Sequence, residues 1–275
     1  MNLMNKNTKT YIALDLDGTL ITDRTTIDAD TFNYLRRLNK YHPIIIATGR
    51  PYRSSKYYYD LLELNMPIIN YNGSYIHHPI DSSFPTKSLF VKKEVLINFF
   101  SDINDVFINA FCEIRDDVYL WEENEAIKPF LFTNGNNIEI GNFANILPSD
   151  PHGAILITKP GSSERLLELV NTKYYQFFNI RIWYSDQEII SEIYHPQTSK
   201  ANALQYICDY YQISPNNLIA IGDGHNDLEM ITFAKLGIAV ANARKELLEV
   251  ADCIIPSVEN NGVLAFLKTY FKNID

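Results

Sequence analysis

The stretch ALDLDGTLITD (residues 13–23) begins as a buried strand and ends as something else. Ala13, Leu14 and Leu16 suit a strand interior, yet Asp15 and Asp17 interrupt the run and Gly18-Thr19 follow. One reading is a turn, because Asp and Gly favour turns and Asp17-Gly18 is a common turn pair. The other is a functional edge, where a strand delivers acids to a ligand. What the remaining strands carry at their ends decides between the two.

Working outward, strands and helices alternate. A strand over residues 11–16 is followed by a helix over 26–40, with Asp28 as N-cap and Phe32, Leu35 and Leu38 on one face. Ile44-Ile45-Ile46 centres a second strand over 43–47. Thr48-Gly49-Arg50-Pro51 then breaks the run and starts a helix, with Pro51 near its first turn. Ile68-Ile69 reads as a third strand and Asn72-Gly73 as a hairpin turn. The alternation returns with a helix over 199–211, whose apolar stripe is Ala203, Leu204, Ile207 and Tyr210, and a strand over 218–221 that runs into Gly222-Asp223-Gly224. A helix over 227–233, strands at 237–240 and 254–255, and a helix over 262–271 complete the chain. This order predicts an α/β fold, a doubly wound parallel sheet of Rossmann-like type.

Residues 80–195 read differently: helix 93–101, strands 106–112 and 118–121, a weak helix 124–131, strand 137–140, and a short helical turn 143–146. Strand 154–158, helix 162–174 and strands 180–184 and 188–194 follow. Paired strands between helices predict an antiparallel sheet, hence an α+β domain inserted into a discontinuous core of residues 1–79 and 196–275.

The formal net charge of −9 argues against binding nucleic acid or anionic membrane through basic patches. No apolar run approaches the length of a membrane span. The opening MNLMNKNTKT lacks the apolar centre of a leader, so the expected location is cytoplasmic. Cys112, Cys208 and Cys253 are odd in number and not at metal spacing, and are read as buried free thiols.

In an open parallel sheet, ligands bind beyond the carboxyl ends of the strands. The first strand ends at Asp15 and Asp17, the second at Thr48-Gly49, and the strand over 218–221 at Asp223, with Asn226 and Asp227 behind it. Lys200 lies near the start of the preceding helix. Four separate segments therefore bring polar groups to one sheet edge, which turns alone do not require. Clustered carboxylates need a cation, and hard oxygen ligands favour Mg²⁺, which binds through a few carboxylates and substrate phosphate. A carboxylate nucleophile would form an acyl phosphate, and a second carboxylate two residues on could protonate the leaving oxygen and later activate water.

DLDGTL, TGR, a Lys opening a helix and GDGHNDLEM resemble, in the same order, the four motifs of the haloacid dehalogenase superfamily of phosphohydrolases. The inserted domain resembles the type IIB cap of Cof-like phosphatases. The resemblance implies that Asp15 is the nucleophile and a Mg²⁺ ligand. Asp17 is implied as general acid/base, with its backbone carbonyl also on Mg²⁺, and Asp223 as the other carboxylate ligand. The backbone of Leu16 and Gly18, together with Thr48, Gly49, Lys200 and Asn226, would hold phosphate, and Asp227 would support the metal or Lys200 from behind. The sequence departs from the pattern at His225, where a small residue is usual and a larger one could narrow the mouth of the site.

Arg50 and Asn72 also follow strand ends, and are read either as facing substrate or as structural. His77-His78 has no partner at metal spacing, and Trp121-Glu122-Glu123 is read as a solvated face or a specificity wall. The function expected is Mg²⁺-dependent hydrolysis of small phosphorylated metabolites, sugar phosphates first, by a monomer or weak homo-oligomer. The alternatives are a phosphomutase of the same superfamily and a non-catalytic phosphometabolite-binding regulator.

Overall fold

A computed structural model of the protein describes residues 9–22, 26–125, 127–132, 137–184 and 188–272. The leader reading at residues 1–8, Asp23 of the opening stretch and Ala126 of the weak helix lie outside the described residues. Along the chain come β1 (Tyr11–Leu14), α1 (Ala29–Leu38), β2 (Ile44–Ile46), α2 (Tyr52–Leu61), β3 (Ile68–Asn70), β4 (Tyr75–His77) and β5 (Lys87–Ser88). Next are α3 (Lys93–Asp102), β6 (Phe107–Ile114), β7 (Asp117–Leu120), β8 (Ile138–Ile140), α4 (Phe143–Ile146) and β9 (Gly153–Thr158). Then follow α5 (Ser163–Leu169), β10 (Asn179–Tyr184), β11 (Ile189–Tyr194), α6 (Lys200–Tyr211), β12 (Leu218–Gly222) and α7 (Leu228–Phe233). The last are β13 (Leu236–Val240), α8 (Lys245–Val250), β14 (Cys253–Ile255) and α9 (Gly262–Tyr270). The chain divides into two compact units, one of Met1–Arg50, Ser55–Lys87 and Ser199–Asp275, the other of Pro51–Ser54 and Ser88–Thr198.

The first unit is α/β. Its five-stranded sheet is parallel throughout, in the order β14-β13-β12-β1-β2. Ala13, Ile45, Ala47, Leu218, Ala220 and Ala239 point to one face and pack with Ala203, Leu204 and Ile207 of α6 and Met230 and Ile231 of α7. Their neighbours Ile12, Leu14, Ile44, Ile46, Ile219 and Ile221 are buried as well, so both faces are covered. This explains why the strands read as continuous apolar runs rather than alternating ones. From β1 the chain steps to β2 on one side and later returns at β12 on the other. The β1–β12 seam is therefore the topological switch point, the place where open α/β sheets bind ligands.

Several expectations need correction. Residues 26–27 do not enter α1, because Thr22 and Thr26 pair as a small bridge and Asp28 caps the helix by accepting from the Thr31 N–H at 2.9 Å. Tyr34 rather than Phe32 is buried on α1, with its hydroxyl donating to the Leu267 carbonyl of α9. On α6, Cys208 is buried while Tyr210 is exposed. The strand at Ile68-Ile69 belongs to a three-stranded sheet, β3-β4-β5, and joins the chain just beyond β2 through the Ala47–Ile69 pairing. β4 pairs antiparallel with β3, as the hairpin turn at Asn72-Gly73 implies, whereas α8 and β5 have no counterpart in the sequence reading.

The second unit is α+β, with a six-stranded sheet in the order β10-β11-β9-β6-β7-β8. All described pairings in it are antiparallel except β7–β8. Ala110, Cys112, Ala154, Leu156 and Ile193 pack against Leu96, Phe99 and Phe100 of α3, Phe143 of α4 and Leu166 of α5. Among the described residues of the weak helix over 124–131, a single 3-10 turn forms, Lys128–Phe130. Trp121, partly buried, packs edge-on against Phe107 and Phe143 at the margin of this core.

Candidate active site

Register alone brings the acids together. Leu14 pairs with Ile221 across the β1–β12 seam, so Asp15 and Gly222 leave the sheet side by side, with Asp223 one residue further. The Asp15 N–H still donates to the Ile221 carbonyl at 3.1 Å, which fixes this carboxylate at the strand end. Gly18 then adopts φ +79°, and a Cβ there would lie 2.3 Å from Asp223 Oδ2. Glycine is needed both for the left-handed turn and for room beside that carboxylate.

Lys200, the first residue of α6, is wholly buried and bridges two acids. Its Nζ donates to Asp15 Oδ1 and to Asp227 Oδ1, both at 2.6 Å. Ser199 caps the helix by accepting from the Asn202 N–H at 3.0 Å, which starts α6 at this lysine. The other oxygen of Asp227 accepts the N–H groups of Asp223 (3.0 Å) and Gly224 (2.9 Å). Asp227 thus locks the loop after β12 and is fully engaged. Burial, which the two acidic neighbours Asp227 and Asp223 reinforce, raises Asp15 well above the ordinary carboxylate range, and Lys200 offsets this only in part. Burial and then Asp227 push Asp223 up to about 6. The two acids on Lys200 outweigh its own desolvation and raise its pKa, so it stays an ammonium at neutral pH.

Acidic oxygens of Asp15, Asp223 and Asp227 lie within 4.8 Å of one another. With Asp227 spent on Lys200 and two amides, and one Asp15 oxygen on Lys200, the second Asp15 oxygen and the Asp223 carboxylate remain. Thr19 Oγ1 donates to Asp223 Oδ1 at 3.4 Å, and Oδ2 faces the space kept open at Gly18. A buried and a half-buried carboxylate, both with raised pKa values and hard oxygen donors, fit a small divalent cation.

Thr48 is fully buried at the end of β2, and its Oγ1 accepts from the Arg50 N–H at 3.1 Å, keeping its own O–H as a donor. Asn72 holds a left-handed backbone (φ 56°) in the turn after β3, and its N–H donates to the Thr48 carbonyl at 3.0 Å. Its Oδ1 accepts from Asn226 Nδ2 at 2.8 Å, which ties the turn after β3 to the loop that carries Asp223 and Asp227. The Gly18 N–H, expected to face phosphate, instead donates to the Ile21 carbonyl at 3.1 Å. Its carbonyl accepts from Asn242 Nδ2 at 2.8 Å. His225 is exposed at the start of the turn that precedes α7.

The Asp17 side chain stands apart from the acidic cluster. Its two oxygens accept from Arg50, Oδ2 from Nε at 2.7 Å and Oδ1 from Nη2 at 2.5 Å. Sequence reasoning left Arg50 open and missed Thr19 and Asn242, because each acts through a partner far away in sequence.

Fold and site together define an α/β enzyme with an inserted α+β unit. A family model for haloacid dehalogenase-like hydrolases matches residues 12–267, and the chain belongs to that family. It is 35% identical over 268 residues to the 5-amino-6-(5-phospho-D-ribitylamino)uracil phosphatase YitU of Bacillus subtilis, covering 96% of this chain and 98% of that one. Among solved structures it resembles a HAD/COF-like hydrolase from Plasmodium vivax (TM-score 0.80, 20% identity, 96% of this chain and 95% of that one). It also resembles a HAD subclass IIB sugar phosphatase (TM-score 0.77, 20% identity, 96% of this chain and 99% of that one). Those two likenesses concern the fold.

Proposed function

We propose that this phosphatase is a Mg²⁺-dependent phosphomonoesterase that works through an aspartyl phosphate on Asp15. The observation that carries this reading is the Asp15–Lys200–Asp227 bridge at the switch point, with Asp223 beside it and Asp17 two residues on. Asp15 attacks phosphorus and the ester P–O bond breaks, the leaving oxygen taking a proton from Asp17. Water then attacks the same phosphorus and gives its proton to Asp17, and the bond to Asp15 breaks, restoring its carboxylate. The net change is ester plus water to alcohol plus phosphate. Lys200, the Thr48 hydroxyl and the amides of Leu16 and Gly49 face the phosphoryl oxygens, and Asn226 helps hold them. Asp15, Asp223 and the Asp17 carbonyl would hold the Mg²⁺, which when bound supplies positive charge against the phosphate dianion.

The substrate is assigned to phosphorylated sugars and polyols. The Bacillus subtilis relative is named for a phosphate on a ribityl chain, and its identity to this protein extends end to end. Selectivity is assigned to the second unit, because all four motif groups lie in the first. The test is phosphate release from a panel of sugar phosphates, nucleotides, pyridoxal phosphate and the phosphoribitylaminouracil, each with and without Mg²⁺. Chelation should abolish release and added Mg²⁺ should restore it. Mg²⁺ should also raise the melting temperature of the wild type by mass action, and Asp223→Asn should lose most of that shift. Undiminished release after exhaustive chelation contradicts the metal assignment. Isomerised phosphate ester without free phosphate would favour the phosphomutase, and no turnover on any ester the regulator.

A further inference from the structure

We infer that Arg50 is a positioning residue for Asp17, holding the carboxylate in the orientation that both proton transfers use. The inference rests on the acid/base assignment of Asp17. Arg50 is a buried cation, 5% exposed, whose partner Asp17 is 42% exposed at the side chain. Its backbone is fixed on both sides. The N–H donates to Thr48 Oγ1, and the carbonyl accepts from Asn70 Nδ2 at 2.9 Å and from the Tyr71 N–H at 3.3 Å. Its guanidinium lies 5.5 Å from the centre of the Tyr58 ring, and Tyr58 is itself buried. The planar fork then meets both oxygens of Asp17, fixing the plane of the carboxylate as well as its place.

That arrangement is more than a half-exposed ion pair needs, since such pairs contribute little to stability. It does suit a group that must reach a leaving oxygen in one step and a water in the next. Each oxygen of Asp17 spends one lone pair on Arg50 and keeps another for the proton. Freed from the fork, a half-exposed Asp17 would sample several rotamers and meet the reacting oxygen in only a fraction of them. The first step on a good leaving group needs no proton, so the defect should fall mainly on poor leaving groups and on water attack.

Arg50→Ala should lower kcat on a sugar phosphate by about 10²-fold, within the range general acid–base help supplies, while KM changes less than threefold. With p-nitrophenyl phosphate the same variant should release close to one equivalent of nitrophenolate in a burst before slow turnover. Millimolar methylguanidinium should restore part of the rate. Arg50→Lys, which keeps the charge but not the fork, should show a smaller loss with the same burst, and serves if Arg50→Ala folds poorly. A loss equal on both substrates with no burst, a rise in KM that accounts for the whole loss, or wild-type kinetics overturns the role. Asp17→Asn is the control. If it too turns over normally, the acid/base reading has failed. If it bursts and stalls while Arg50→Ala behaves as wild type, only the role of Arg50 has.

Discussion

Asp15→Asn should remove phosphate release from every substrate, whatever its leaving group, by on the order of 10⁴-fold or more, as loss of a covalent nucleophile does elsewhere. The substitution is isosteric, and its amide oxygen can still accept from Lys200, which donates at 2.6 Å in the wild type. The variant should therefore fold and melt within a few degrees of the wild type. Release measured on a sugar phosphate and on p-nitrophenyl phosphate, beside a thermal melt, separates chemistry from stability. Ready turnover of the nitrophenyl ester would mean that water attacks phosphorus directly and that Asp15 serves only as a ligand.

Lys200→Met should be the most damaging single change to the fold. It leaves Asp15 and Asp227, 5% and 0% exposed at the side chain, facing each other without their shared cation. Removing one member of a buried ion pair typically costs about 3–5 kcal/mol. In a unit of this size that is roughly 10 °C in melting temperature, and activity should vanish with it. Lys200→Met combined with Asp227→Asn removes one of the stranded charges and should recover part of the stability without the activity. If the single variant melts like the wild type, the bridge does not hold the site together, and Lys200 contributes only to phosphate binding.

The central sheet was legible because its strands are buried on both faces, so the triple Ile of β2 and the apolar run before Gly222 had no other reading. The acids were legible for a related reason: polar groups at the ends of such strands can only lie at the sheet edge. What escaped was local or long-range. α8 starts after Arg244, which is no capping residue and makes no side-chain cap, so no start signal marks it. Residues 124–131 carry helix formers, but Pro129 breaks the pattern. Tyr34 displaced Phe32 because its hydroxyl finds the Leu267 carbonyl, a partner 233 residues away. The Arg50–Asp17 fork is hidden likewise. The separation of 33 positions takes in a helix and a strand, and no spacing rule links the two. Asn242, whose amide closes the Gly18 turn, has no motif at all.

The central claim is that phosphate passes through Asp15 and that Asp17 moves the protons. Asp17→Asn mixed rapidly with excess p-nitrophenyl phosphate and Mg²⁺ tests it most directly, with nitrophenolate and phosphate followed in the same sample. Nitrophenolate leaves without a proton, so the aspartyl phosphate should form and then stall for want of a base. The account predicts a nitrophenolate burst near one equivalent per enzyme, well ahead of phosphate, and phosphorylated protein with the label on Asp15. Nitrophenolate and phosphate appearing together from the first turnover, with no labelled Asp15, would contradict it.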